Sequence, residues 1–300
     1  MPPRSGLILR SAVLRAVRAF FEEAGYLEVD TPLRLPSLAP EPHIEPQESG
    51  PWFLQTSPEL CMKRLLARGY PKIFQLCHCF RKGERGKKHL PEFAMLEWYR
   101  AGSDCHDLMA ETEQMIRFVA KQLGMGASLV YQGQRFDLAA PWERLTVAEA
   151  FGRYAPMSAE EALKHGRFDE VLVERIEPHL GKGQPTFLYE YPAALGSLAR
   201  LKPGDPTVAE RFELYLSGIE LANGFSELAD SAEQRCRFVA DQAAIRHQGL
   251  DPGPMPEKFL DDLAAMPEAA GIALGIDRLV MLLADAATID EVVAFPPERL

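Results

Sequence analysis

The sequence predicts an α+β fold, because it contains two strand–turn–strand segments and amphipathic helical segments near both ends. The first hairpin joins residues 73–81 to residues 93–99 across a loop rich in glycine and cationic side chains. The second covers residues 211–222, with Ser217-Gly218 as its two-residue turn. Such patterns indicate the elements but cannot order the strands within a sheet.

The remaining elements follow in chain order. Apolar residues with helical spacing predict a helix over residues 7–24, which Gly25 ends and a strand over residues 26–30 follows. After a proline-rich segment, Ser57-Pro58 predicts the start of a helix over residues 59–68. Further along, we expect a helix over 104–123, two short strands within 129–138, a mainly helical insertion over 146–180, and a strand that turns through Gly275 into a last helix.

Composition and charge restrict the possible functions. The 300 residues are 47% hydrophobic and 25% charged, as in an ordinary globular protein. No apolar run is long enough for a membrane span and the N-terminus does not resemble a signal peptide, so we expect a cytoplasmic protein. Five scattered cysteines do not suggest a disulfide framework. A formal net charge of −10 makes tRNA an unlikely partner, although a local basic patch could still exist.

The first hairpin carries the side chains of a nucleotide site. Alternation places Phe93, Met95, Glu97 and Tyr99 on one face of the return strand, and Arg81 ends the outgoing strand beside the loop. A guanidinium in this position can hold a phosphate or a carboxylate through two hydrogen bonds. The pattern alone fits either a nucleotide-binding hairpin or an exposed hairpin with a solvated basic tip.

The second hairpin carries two carboxylates. Pairing about its turn is expected to place Glu213 opposite Ala222 and Glu220 opposite Tyr215, so that both glutamates share a face. Two carboxylates about 4 Å apart repel by about 4 kcal/mol at an effective dielectric constant of about 20. A cation between them would be favoured, and Mg²⁺ would suit an ATP site. Alternatively, both side chains line a hydrated sheet face.

Three segments resemble the motifs of class II aminoacyl-tRNA synthetases of the lysyl branch. Phe80-Arg81 with His89–Glu97 is similar to motif 2, Val29–Pro32 to motif 1, and Gly271–Leu279 to motif 3. This resemblance implies a class II catalytic core, an antiparallel sheet flanked by helices, and a homodimer formed through motif 1. We expect one catalytic domain over residues 1–300 without an anticodon-binding domain, because the motif 1 helix begins so near Met1.

The resemblance also implies roles for individual residues, with ATP and Mg²⁺ as cofactors. It implies catalytic roles for Arg81 and Arg278. The implied nucleotide-binding residues are Arg81, Glu84, His89, Phe93, Glu220 and Arg278. The implied amino-acid-binding residues are Glu59, Glu97, Tyr99, Asn223, Phe225, Glu227 and Ala273. The implied metal ligands are Glu213 and Glu220.

Runs such as Thr56–Glu59, Met62–Leu66, Met95–Arg100 and Gly218–Phe225 look like the elongation factor P lysine ligase family over nearly the whole chain. The family implies activation of (R)-β-lysine, or lysine, as an adenylate and its transfer to a lysine ε-amino group of elongation factor P. The alternatives are aminoacylation of an RNA, a catalytically silent regulator, and an amide-forming synthetase that uses ammonia. The preference between α- and β-lysine remains open from sequence.

Three positions bear on this resemblance. Gly83 and Leu90 stand where the family usually has glutamate and asparagine, and Glu84 could replace the missing glutamate. Ala273 stands where lysyl-tRNA synthetases usually have glycine, so its methyl group could reshape the pocket floor. Ordinary packing of a small residue would explain Ala273 equally well.

Overall fold

A computed structural model describes residues 4–300, and its helices and strands bear out the α+β prediction. The helices are α1 Arg4–Glu23, α2 Glu59–Ala67, α3 Cys105–Gln122, α4 Val147–Tyr154, α5 Ala159–Lys164, α6 Phe168–Val171, α7 Ser231–His247, α8 Glu257–Leu263 and α9 Ile276–Leu283. The strands are β1 Leu27–Glu28, β2 Arg34–Leu35, β3 Glu48–Ser49, β4 Trp52–Leu54, β5 Lys72–Phe80, β6 Glu92–Ala101, β7 Ser128–Tyr131, β8 Gln134–Asp137, β9 Glu143–Thr146, β10 Thr186–Pro192, β11 Leu201–Lys202, β12 Asp205–Leu216, β13 Ile219–Ser226 and β14 Ala269–Gly275.

One mainly antiparallel sheet organises the fold. Its strands run in the order β1-β5-β6-β14-β13-β12-β10-β9, with β11 paired to β12. Only the outer pairs β1–β5 and β9–β10 are parallel. The last strand of the chain, β14, therefore lies between the two hairpins, antiparallel to both β6 and β13. Long-range pairing of this kind is invisible to local sequence patterns.

The two faces of the sheet have different roles. Helices α1, α3 and α9 bury one face in the main apolar core, where the ring of Phe21 stacks on Phe74 with centroids 4.8 Å apart. On the other face, α2, α7 and α8 cover Ile73 and Tyr99 at one end. The helices of the 146–180 insertion form a separate apolar cluster with β10. The rest of the second face is available to form a binding site.

The predicted elements are observed with modest changes of boundary. Most helices begin and end close to the expected residues, and Gly25 adopts the left-handed φ of 76° that suits a helix stop. The strand expected over residues 26–30 is shorter, because only Leu27 and Glu28 pair with β5. Among residues 4–300, no helix combines the length and the apolar character that crossing a membrane requires.

The register of the second hairpin differs from the prediction. Ser217 and Gly218 form the expected turn, with φ values of 55° and 66°. Glu213, however, lies opposite Asn223 and not opposite Ala222. The reason is a β-bulge, in which Leu221 is an extra residue between two paired positions. Glu213 and Glu220 still share a face, because Glu220 lies opposite Tyr215, which is two residues from Glu213 on the same strand.

A single buried carboxylate connects three parts of the chain. Asp277, at the start of α9, is 2% exposed and forms an ion pair with Arg10 of α1. Its other oxygen accepts a hydrogen bond of 2.8 Å from the backbone N–H of Ala94 in β6. The first helix, the β6 strand and the last helix are thereby held together at one point.

We predict that Asp277→Ala lowers the free energy of unfolding by about 3–5 kcal/mol, because it leaves the Arg10 cation and the Ala94 N–H without their buried partner. Urea denaturation would measure the change. The control is Asp261→Ala on exposed α8 surface, for which we expect less than about 0.5 kcal/mol. A loss below about 1 kcal/mol for Asp277→Ala would contradict the proposed structural role.

Candidate active site

Four neighbouring strands build the candidate site by placing their side chains in register. Glu97 of β6 pairs with Ala273 of β14, which pairs with Asn223 of β13, which pairs with Glu213 of β12. Two residues further along the strands runs a parallel row, consisting of Tyr99, Gly271, Phe225 and Arg211. Side chains alternate along each strand, so both rows face the same way. Residues far apart in sequence thus share one surface.

The predicted nucleotide-binding residues meet in a cavity of about 330 Å³ on this surface. Its lining includes all of them, namely Arg81, Glu84, His89, Phe93, Glu220 and Arg278. The Arg81 guanidinium lies 5.1 Å from the centre of the Phe93 ring, and its buried Nε has no hydrogen-bond partner in the described residues. A buried N–H donor without a hydrogen-bond partner costs free energy, and a bound anion that accepts the hydrogen bond would remove this cost. Arg81 therefore fits a phosphate or carboxylate ligand.

Arg278 is oriented across this cavity by the motif 2 loop and the second hairpin. Its Nη1 donates to the backbone oxygen of Glu220 at 2.8 Å, and its Nε donates to the backbone oxygen of Lys88 at 3.2 Å. Its Nη2 lies 2.6 Å from Nε2 of His89. Burial and the neighbouring Arg278 cation lower the pKa of His89, so this ring is neutral and can accept the hydrogen bond. Glu84 lies 3.7 Å from Arg81.

The two expected metal ligands also lie on this cavity, in different environments. Buried Glu213 accepts hydrogen bonds of 2.6 Å from the hydroxyls of both Tyr191 and Tyr215, and one of 2.7 Å from Arg211. Burial raises the pKa of Glu213 and Arg211 opposes the rise. Glu220 is more open and contacts Arg278 at 3.3 Å.

Among residues 4–300, no three His, Cys, Asp or Glu side chains cluster as a protein-only metal cage. The Glu213–Glu220 pair fits a different kind of site. Mg²⁺ at nucleotide sites commonly takes one or two carboxylates and completes its shell with phosphate oxygens and water. The two oxygen donors on the lining of the larger cavity match that requirement.

A smaller cavity of about 80 Å³ adjoins the first and is acidic. Its lining contains six of the seven predicted amino-acid-binding residues, namely Glu59, Glu97, Tyr99, Asn223, Phe225 and Ala273. Glu97 accepts hydrogen bonds from Ser57 Oγ at 2.5 Å and from the Tyr99 hydroxyl at 2.8 Å. Burial, together with the nearby Glu59 carboxylate, raises the pKa of Glu97 to about 8.

The seventh predicted residue, Glu227, lies behind this cavity and is absent from its lining. It is 2% exposed and forms an ion pair with the buried Lys63. Burial raises the pKa of Glu227 to about 8, although Lys63 opposes the rise. Gly271 separates it from the cavity, and a Cβ there would lie 2.4 Å from Glu227 Oε1 and 2.2 Å from Tyr99 Cε1. Only glycine fits between them.

The structure adds four side chains that the sequence analysis did not assign to the site, namely Glu41, Ser57, Lys63 and Arg211. For two of them, the spacing in the sequence could have indicated a place in the site. Lys63 is four residues after Glu59 in a predicted helix, and Arg211 is two residues before Glu213 in a predicted strand. Glu41 lies in the proline-rich segment, where no periodicity operates, yet it lines both cavities. Burial raises its pKa to about 7, against the effect of Arg81.

Comparisons with known proteins agree with this architecture. Residues 3–299 match the family model of class II tRNA synthetases (D, K and N). The chain is 41% identical to the elongation factor P–(R)-β-lysine ligase of Salmonella gallinarum, across 98% of this chain and 95% of that protein. It is 40% identical to the protein of the same name from Salmonella typhi, with the same coverage. The chain therefore belongs to the class II tRNA synthetase family, and within it to the group of the elongation factor P–(R)-β-lysine ligases.

Proposed function

We propose that this enzyme uses ATP to activate (R)-β-lysine, or lysine, as an adenylate and then transfers it to a lysine ε-amino group of elongation factor P. The observation that carries the proposal is that the arginine-lined cavity and the acidic cavity adjoin on one sheet face and share Arg81, Asn223 and Ala273. A nucleotide phosphate and the carboxylate of a cationic amino acid would meet there. The printed names of the relatives support the acceptor and the β-lysine substrate.

Activation requires no protein nucleophile. A carboxylate oxygen of the amino acid attacks the α-phosphorus of ATP, and the bond to the β-phosphate oxygen breaks to release pyrophosphate. We assign the α-phosphate and the attacking carboxylate to Arg81 and the distal phosphates to Arg278, since both arginines line the larger cavity. Phe93 offers a face for adenine, with His89 and Glu84 beside it. When bound at Glu213 and Glu220, Mg²⁺ would offset negative charge on the phosphates.

Specificity for a cationic amino acid follows from uncompensated negative charge. Glu59 and Glu97 lie on the smaller cavity with Tyr99 and Phe225 around them. A neutral amino acid would leave the Glu97 carboxylate buried without a cationic partner, which costs binding free energy. Asn223 and Ala273 lie between the two cavities, so we assign them to the backbone end of the substrate. The Ala273 methyl group would then contribute to selection between α- and β-lysine.

In the second step the ε-amino nitrogen of the acceptor attacks the acyl carbon of the adenylate. The bond from that carbon to the phosphate oxygen breaks, AMP leaves, and the nitrogen loses a proton as the amide forms. An acceptor amine must therefore reach the junction of the two cavities. The net charge of −10 is less suited to tRNA than to a protein acceptor, so tRNA is not part of the proposal.

We further propose a homodimer in which α1 and the motif 1 segment around Pro32 form the interface. Apolar side chains are exposed at the start of α1, namely Leu7 and Ile8, and after its end, namely Leu27 and Leu33. Burial of these side chains in an interface would favour association. A single catalytic domain and a cytoplasmic location belong to the same proposal, because the acceptor is a translation factor.

The acceptor assay tests the function directly. We expect that label from (R)-β-lysine, in the presence of ATP and Mg²⁺, appears on unmodified elongation factor P and not on total tRNA. A form of elongation factor P without its acceptor lysine serves as the control and should stay unlabelled. Label on tRNA would support aminoacylation instead, and absence of both label and ATP cleavage would support a silent regulator.

Arg278→Ala is expected to slow ATP–pyrophosphate exchange by about 10²–10³-fold, because the guanidinium stabilises charge that develops on the phosphates. Exchange measured at saturating amino acid would give the loss. Arg235→Ala, which removes a surface arginine paired with Glu257, should change the rate less than threefold. An Arg278→Ala rate within threefold of the unmodified enzyme would contradict the assignment.

The pH dependence of activation should reflect Glu97. Only its ionised form attracts the substrate ammonium, and its pKa in the free enzyme is about 8. We therefore expect kcat/KM for the amino acid to rise with pH through about 8, until loss of protons from the substrate amines reverses the trend. Glu97→Gln should lower kcat/KM and remove this rise. A rise that persists in the Gln variant would assign it to another group.

A further inference from the structure

Lys63 is a buried cation with no part in the proposed function so far. Its side chain is 1% exposed, and it pairs with Glu59 at 2.5 Å and with Glu227. Its ammonium also lies 4.9 Å from the centre of the Phe225 ring. Burial opposes the charge of Lys63, but Glu227 and Glu59 outweigh burial and raise its pKa. Lys63 is therefore charged at neutral pH.

This ammonium connects a cavity carboxylate with one behind the cavity wall. Glu59 lies in the first turn of α2 and lines the acidic cavity. Glu227 is absent from the lining of that cavity. Within residues 4–300, Lys63 is the only polar side chain that contacts the Glu59 carboxylate. Helical geometry allows this contact, since residues four apart lie on one side of a helix.

Glu97 differs from both partners of Lys63. Its oxygens accept hydrogen bonds from two neutral hydroxyls, those of Ser57 and Tyr99, and it forms no ion pair in the described residues. The charged and titratable groups that face one another here are Glu59 and Lys63 from α2, Glu97 and Tyr99 from β6, Glu227 after β13, and Glu41 and Arg81 on the cavity lining. Of the two cations, Lys63 is the one that pairs with Glu59 and Glu227.

We infer that Lys63 is the internal counter-cation of the amino-acid site: it fixes Glu59 at the cavity, compensates Glu227 when that carboxyl group ionises, and leaves Glu97 as the carboxylate for the substrate ammonium. Lys63 is thus a positioning residue that acts through Glu59. This role rests on the proposed function, because it assumes a cationic amino acid in the acidic cavity. It also explains how three buried carboxylates fit a substrate whose side chain carries one ammonium.

The counter-cation role can be tested without ligand, by measuring the melting temperature of Lys63→Met as a function of pH. Methionine keeps most of the side-chain volume of lysine. In the unmodified protein Glu227 retains a proton up to about pH 8, well above the range of an exposed glutamate, so its contribution to stability is lost as pH rises to 8. Without Lys63 this pKa rises further. The melting temperature of the variant should therefore fall below that of the unmodified protein by an amount that widens between pH 8 and 9.5.

Two further variants make this measurement specific. For Lys63→Met combined with Glu227→Gln, the difference in melting temperature should not widen between pH 8 and 9.5, because the buried carboxylate behind the cavity has been removed. Lys121→Met replaces an exposed lysine of α3 and should match the unmodified protein throughout. A constant difference between Lys63→Met and the unmodified protein across this pH range would overturn the counter-cation role.

Kinetics test the positioning role. In ATP–pyrophosphate exchange, Lys63→Met should raise KM for (R)-β-lysine at least tenfold and change kcat less than threefold. The double variant should keep the raised KM, since Glu59 remains without its anchor. Recovery of the normal KM in the double variant would show that Lys63 serves Glu227 alone and would overturn the positioning of Glu59.

Failure of this inference can be told apart from failure of the proposed function. If the unmodified enzyme exchanges with (R)-β-lysine and Lys63→Met has the same KM, the inference is wrong and the proposed function stands. If the unmodified enzyme exchanges with no diamino acid, the proposed function is wrong. The melting curves of the ligand-free variants decide the counter-cation role in either case.

Discussion

The ion pair and hydrogen bond of Asp277 are the constraint on which the rest of the structure depends. One carboxylate holds Arg10 of the first helix and the backbone of Ala94 in β6, while Asp277 itself begins the last helix. Arg278 is the next residue along the chain, and Phe93 is the neighbour of Ala94. Fixing Asp277 therefore also fixes an arginine and an aromatic ring on the larger cavity. A site built from distant segments needs such a connection, since small displacements weaken catalysis.

Charge is separated along the sheet face. Arg81 and Arg278 lie on the larger cavity, which suits phosphates, and the glutamates of the smaller cavity suit an ammonium. Both cavities share the uncharged Asn223 and Ala273, together with Arg81 and Glu41, whose charges are opposite. A substrate with a carboxylate at one end and an ammonium at the other would align along this gradient. Electrostatic complementarity of this kind favours one orientation over its reverse.

Much of this arrangement could be predicted from sequence, because hairpins, helix stops and motif residues are local signals. The alternation of Phe93 through Tyr99 on one face is observed, as is the Ser217-Gly218 turn. The position of β14 between the two hairpins could not be predicted, because it depends on long-range pairing with β13 and with β6, whose residues are more than 100 positions away. The register of Glu213 was predicted wrongly because no local signal marked the bulge at Leu221. The place of Glu227 behind the wall depends on packing against Gly271, which sequence alone does not specify.

The bulge at Leu221 also determines where the length of β13 can change. Glu220 and Asn223 are three positions apart, a spacing that would put them on opposite faces of a regular strand, and the extra residue returns both to the cavity side. Deleting Leu221 would leave these two residues at a spacing of two, which keeps both on one face. Deleting a residue from the regularly paired part of the strand, such as Gly224, would instead make Asn223 and Phe225 adjacent and turn one of them away from the cavity. Attempts to redirect the enzyme to other amino acids should therefore keep the residue count from Asn223 to Phe225 and vary only the side chains.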